Sequence, residues 1–226
     1  MPADAPRKPV SLAWPAVAVV IMALLAIIGW LLFRTAGAPA TGSSPSNSPS
    51  PSATAPDAAQ PVPGVNGCLG GEDASVAIYA AMKAPLTKAG AVNFLATVLR
   101  WSTLWPKPAG QQSQIGPKVL SANMLQQLSQ EKIPQGSKLW ADTTGAVYKV
   151  TAFSDESATI AMVMESAGTY QGQQTTATNA AVYGMTVHDG HWLLSSSDPV
   201  VPGAHNPRKN IAAVKDGGSK LPDGCA

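Results

Sequence analysis

The 226-residue chain is poor in charge and in reactive side chains: 12% of it is charged, and it holds two cysteines and three histidines. Each scarcity closes off a class of function. Its 15 Lys and Arg are balanced by 13 Asp and Glu and spread thinly, so no dense basic face forms and direct binding to nucleic acid is not expected. No Cys-x-x-Cys pair, glycine-rich phosphate loop or Gly-x-Ser-x-Gly elbow occurs, which removes the usual marks of zinc ribbons, nucleotide sites and α/β-hydrolases. No cofactor is expected.

What the chain does have begins with Leu12 to Phe33, an unbroken apolar run with Arg7 and Lys8 before it and Arg34 directly after. As a helix of about 22 residues it would span about 33 Å, the thickness of a bilayer core. Trp14 and Trp30 lie near its two ends, where indoles prefer the headgroup boundary. The run therefore predicts a single-pass cell-membrane protein: cytoplasmic tail 1–11, transmembrane helix 12–33 in the lipid bilayer, and the remainder extracytoplasmic. A cleaved signal peptide ending near Ala36-Gly37-Ala38 is the alternative, although the run is longer than the usual signal core of about 7–15 residues.

Residues 34–66 form a Pro/Ser/Ala linker whose composition cannot bury enough apolar surface to offset the ordering entropy, so disorder is expected. It would hold the domain about 30 Å from the membrane as a coil and about 90 Å as polyproline II. Cys68 and Cys225 bracket the remaining region, 67–226, and are expected to be joined. Closing so long a loop would remove roughly 4–5 kcal/mol of unfolded-state entropy on the chain-entropy view. Unpaired or intermolecular thiols are the alternative.

Within 67–226 the period is first helical and then alternating. Glu72 to Lys83 places Val76, Tyr79, Ala80 and Lys83 on one helical face. Ala89 to Trp105, after Thr87 as N-cap, repeats apolar residues at Ala91, Phe94/Leu95, Val98, Trp101 and Trp105. Lys107 to Lys118 reads as a loop, and Ser121 to Glu131 as a third, short helix. Strands are expected at Ser137–Ala141, Ala146–Phe153 and Ala158–Glu165, followed by a hairpin in Thr175–Ser196 turning at Asp189-Gly190. That turn pairs His188 with His191 and Val187 with Trp192, putting Tyr183, Met185, Val187, Trp192 and Leu194 on the core face. Residues 199–226 read as an irregular tail.

The fold class is α+β: about three helices packed on a curved antiparallel sheet of about four strands. The order of elements and the closing pattern Val182-Tyr183-Gly184-Met185-Thr186-Val187, Asp189-Gly190, Trp192-Leu193-Leu194 resemble the NTF2-like superfamily. With one anchor and a tether, the chain is similar to inner-membrane scaffold subunits of type IV secretion and Gram-positive conjugation systems in actinobacteria. The resemblance implies an NTF2-like cone with a pocket lined by Tyr148, Met162, Met185 and Trp192.

No catalytic set emerges. NTF2-like enzymes carry an acid or His inside the cone; here only Asp142 and Glu165 lie near strand ends, and Asp155, Glu156 and Asp189 fall in turns. His188 and His191, with His205, are the sole metal-like constellation and read better as residues of a solvated turn. Arg100, on the long helix, is expected to pair with a carboxylate. The expectation is a non-catalytic scaffold or assembly component of a conjugal-transfer or secretion machine, with protein subunits as partners and self-association permitted. The alternative is an extracytoplasmic binding module for an apolar ligand, accessory to lipid transport; a small isomerase-type enzyme ranks below both.

Overall fold

The computed structural model describes residues 61–200, 207–222 and 224–225. Four helices come first: α1 (Ala74–Ala81), α2 (Lys88–Thr103), α3 (Gln111–Val119) and α4 (Ala122–Gln130). Four strands follow, β1 (Lys138–Phe153), β2 (Ser157–Tyr170), β3 (Gln173–His188) and β4 (His191–Asp198), then α5 (Pro207–Lys215) and the two-residue β5 (Ser219–Lys220). The strands make one open antiparallel sheet in the order β4-β3-β2-β1-β5.

Helix α2 is the centre of the core. Thr87 caps it by accepting the Gly90 N–H, and every residue from Gly90 to Trp101 is buried. A helix apolar nearly all round must be enclosed on all sides, and α2 lies between α1 and one face of the sheet. Polar side chains at Asn93, Thr97 and Arg100 interrupt the apolar surface at helical spacing, and each finds backbone. Asn93 donates to Gly64 O and accepts from Asn66 N, and Arg100 donates to the carbonyls of Gly71 and Glu72. This stripe stitches 64–72 onto the domain, and Val62 N donates to the Tyr148 hydroxyl at 3.0 Å. Residues 61–66, assigned to the linker from composition, are thus tied down.

The second face of the sheet is covered as well. Val214 and Ile211 of α5 pack on Val147, Ala161, Val163, Ala180 and Val182, while Tyr148, Ile160, Met162, Met164, Tyr183 and Met185 face α2. Strand β2 is therefore buried on both sides from Ile160 through Met164, which explains a continuous apolar run where a half-exposed strand would alternate. The β3–β4 hairpin has the expected register, His188 opposite His191 and Val187 opposite Trp192. Asp189 and Gly190 sit at φ 49° and 76°, the positive pair that a type I′ turn demands.

Several expectations are corrected. The NTF2-like cone is not formed: the described strands number five, the sheet stays open between its β4 and β5 edges, and five helices accompany it, one on the opposite face. The first helix is rotated from its expected phase. Ala77, Ile78 and Ala81 face inward because alanine lets α1 approach α2 closely, leaving Val76 and Tyr79 exposed at 60% and 48%. Lys107–Lys118 is largely helix, and α5 and β5 lie in what reads as an irregular tail.

The membrane assignment is corrected too. Among the described residues no helix is long and apolar enough to cross a membrane, and α2, the longest of them, has 16 residues. The expected tail 1–11, transmembrane helix 12–33 and linker 34–60 lie outside the described residues. The conjugation or type IV secretion scaffold reading rested on the cone as well as on that span, and the open sheet removes the cone; the single-pass cell-membrane localisation finds no spanning helix among the described residues.

Cys68 and Cys225 are joined, with Cα atoms 5.0 Å apart across 157 residues of sequence. Buried Thr143 of β1 sits at this junction: its backbone N–H donates to Cys225 O at 2.8 Å, and Gly67 N donates to Pro222 O at 2.9 Å. The bridge closes a ring around the whole sheet.

Candidate functional groove

The four residues expected to line a pocket, Tyr148, Met162, Met185 and Trp192, are all 2% exposed or less and pack with Phe94 and Trp101 in the main core. The Trp192 indole N–H donates to Pro85 O at 3.0 Å, so even its polar edge is occupied. An open groove lies elsewhere among the described residues, beside the C-terminal end of α2.

That groove is built by a proline-rich exit from the helix. Leu104 leaves helical geometry, and Trp105 pairs with Leu139 through both of its backbone groups, N to O at 2.9 Å and O from N at 3.0 Å. Pro106 and Pro108 then stiffen the path to Gly110, after which α3 begins. Helix α3 is anchored by Gln111, whose Oε1 accepts the Trp101 indole N–H at 2.9 Å and whose amide donates to Ser75 O at 2.7 Å. Helix α4 crosses α3 at Gly116, where an added Cβ would run into Leu125. The close crossing brings Pro117, Leu125 and Ser129 opposite Trp105 and Pro106, enclosing an open groove of about 600 Å³.

Lys107 is the one charged residue on its wall. Its Nζ donates to Ser102 O at 2.8 Å and Leu104 O at 2.9 Å, the free carbonyls at the end of α2, and lies 5.4 Å from the Trp101 ring centroid. Burial pushes this ammonium from its ordinary 10.5 down to about 8, with Glu131 opposing the shift. The same burial raises the Glu131 carboxyl, against the pull of Lys107. A neutral amine keeps two N–H groups, so both carbonyl bonds can survive loss of the proton.

The remaining candidates do not converge. His188 Nε2 is 3.4 Å from Asp189 Oδ2, with side chains 67% and 80% exposed, and His191 Nδ1 is 3.2 Å from Asp189 O. His205 lies outside the described residues, and among those described no three His, Cys, Asp or Glu are grouped to hold a metal. Asp142 and Glu165 stand opposite each other in the β1–β2 ladder. They share the face of Ala161 and Val163, away from the α2 core. Arg100 meets carbonyls instead of the carboxylate expected for it.

The groove residues carried a signal that periodicity hid. Trp105-Pro106-Lys107-Pro108 reads as the end of a helix, and the inward spacing of Gln111, Ile115 and Val119 is masked by the polar character of Gln111 and by Gly116 and Pro117. Comparison with protein-family models, with characterised proteins and with solved structures finds no match to the chain.

Proposed function

We propose that the domain is a non-catalytic, extracytoplasmic binding module that takes an apolar ligand of the hydrocarbon-chain class in the groove between Trp105 and Leu125. The observation that carries this reading is the open groove beside the end of α2. The face of the sheet under α2 is filled by the chain's own Phe94, Trp101, Met162 and Trp192, whereas Trp105, Pro106, Pro108, Pro117 and Leu125 border about 600 Å³ of open space. That volume falls within the range of about 300–1,000 Å³ common to small-molecule sites. Proline and tryptophan walls lose little conformational freedom when a ligand arrives. Lys107 is engaged by two carbonyls and demands no counter-charge, and Gln112, Ser113 and Ser129 offer hydrogen bonds to a polar head. The Cys68–Cys225 bridge suits an oxidising compartment.

The test uses the full chain with its six tryptophans labelled at the indole nitrogen, titrated with a monoacyl lipid below its micellar concentration. The Trp105 resonance is expected to shift saturably while those of Trp101 and Trp192 move little. Ser129→Phe fills the groove from an exposed position and should weaken binding at least tenfold. A static Trp105 signal, or unchanged affinity in Ser129→Phe, overturns the reading.

A further inference from the structure

Strand β3 is paired along its whole length on one side only. Its ladder with β2 runs unbroken from Tyr170 opposite Gln173 to Ser157 opposite Thr186. On the other side β4 reaches only from Val182 to His188. Among the described residues nothing pairs with the outer edge of 173–181, so a nine-residue row of alternately outward N–H and C=O groups is left open.

Parts of the sheet's other edges are covered. Along β1, Leu139 pairs with Trp105, Thr143 with Cys225, Ala146 with Leu221, and Val147 and Tyr148 with β5. On β4, Leu194 O accepts from Ser121 N. Exposed edges are ordinarily blunted by charge, proline, a bulge or a cover. Among the described residues the edge at 173–181 shows none of these: from Gln171 to Val187 the sequence contains no charged residue, no histidine and no proline, and the irregularity of β3 against β4 lies at Gly184/Met185. Threonine, which favours strands, supplies Thr175, Thr176 and Thr178.

We infer that this edge pairs with the same edge of a second copy of the chain, antiparallel about a two-fold axis through Ala177. In that register Thr176 of each copy stands opposite Thr178 of the other, Thr175 opposite Asn179, and Ala177 opposite itself. Two-fold antiparallel pairing sets an edge against its own charges, and like charges directly opposite are destabilising. An edge with no charge is the kind that tolerates itself, and it gives an unrelated strand no electrostatic reason to be preferred. The sheets of the two copies would join through β3, giving threonine pairs at the seam and leaving the groove at Trp105 outside it.

The experiment is cysteine cross-linking of the full chain in detergent, with the native bridge intact. Ala177→Cys should give a covalent dimer under mild oxidation, because the two-fold puts its own counterpart within reach, whereas Gln171→Cys, off the axis, should give at least tenfold less. Adding Thr176→Lys and Thr178→Lys to Ala177→Cys should abolish the cross-link and halve the mass of the wild-type-like dimer in light scattering, with circular dichroism unchanged. If those lysines unfold the chain, Asn179→Lys with Ala177→Cys replaces them, at a position exposed on the strand. A monomer at all concentrations would leave the edge to a strand from a different protein and overturn the inference. A dimer that survives the lysines, or that cross-links equally at Gln171→Cys, overturns it too.

Discussion

The hydroxyl of Thr143 accepts the backbone N–H of Cys225 at 2.7 Å, while Thr143's own backbone N–H donates to the Cys225 carbonyl at 2.8 Å. One buried side chain on β1 thus holds the far end of the disulfide ring in sheet-like register. Thr143→Val keeps the shape and removes the acceptor, leaving the Cys225 N–H buried and unpaired. A loss of about 1–3 kcal/mol is expected in urea unfolding. In the Cys68→Ser/Cys225→Ser protein the same substitution should cost less, since the freed segment can turn to water, and a double-mutant cycle would show the coupling.

Gln111 has a similar bridging role among three helices. Gln111→Leu strands the Trp101 indole N–H and Ser75 O together and should cost about 2–3 kcal/mol. Gln111→Glu still accepts from Trp101 but cannot donate to Ser75 when ionised, and it should unfold at a lower urea concentration than wild type and show a partial recovery below pH 5. Circular dichroism against urea at two pH values separates the two variants.

Lys107 gives a pH signature of known sign. Its folded value, lowered to about 8 from 10.5, means the folded state releases this proton more readily than the unfolded chain. Its contribution to stability is therefore fully present above the unfolded value and is lost as pH falls through about 8. The melting temperature of the wild type relative to Lys107→Met should rise between pH 8 and 10.5. A flat difference curve would remove burial as the dominant influence on Lys107.

The second layer is tested at Val214, fully buried against Val147, Ala161 and Val163. Val214→Ala should cost about 2 kcal/mol in chemical unfolding, combining lost transfer with a residual cavity. Val163→Asp, on the central strand beneath the same helix, should abolish cooperative unfolding by burying a charge without a partner. Neither should alter ligand affinity at the groove in protein that remains folded.

The parts of this fold legible from sequence are those in which one residue type answers one geometric demand. Asp189-Gly190 fixed a turn and, through it, the register of Val187 with Trp192; Phe94, Val98 and Trp101 marked the inward face of α2. Where two demands overlapped, the pattern misled. Ala161 and Val163 are apolar because α5 covers them, yet beside Ile160 and Met162 they read as the indifferent half of an alternation. Val76 and Tyr79 carry larger side chains than Ala77 and Ala81, but the small residues make the contact with α2. The groove is hidden for a related reason: Lys107 to Lys118 reads as a loop because it is rich in proline and glycine, although Pro117 lies inside a helix and Pro106 and Pro108 stiffen a wall.

The ring closed by Cys68 and Cys225 also governs how the domain bears load. A pull exerted on the chain before Cys68 and after Cys225 passes directly between two sulfur atoms and by-passes everything in the sequence between them. The strands then carry no tension, and stretching would extend only the flanking segments. Reduction transfers that force to the hydrogen bonds of Thr143 and β5, which would peel one at a time from the β1 edge.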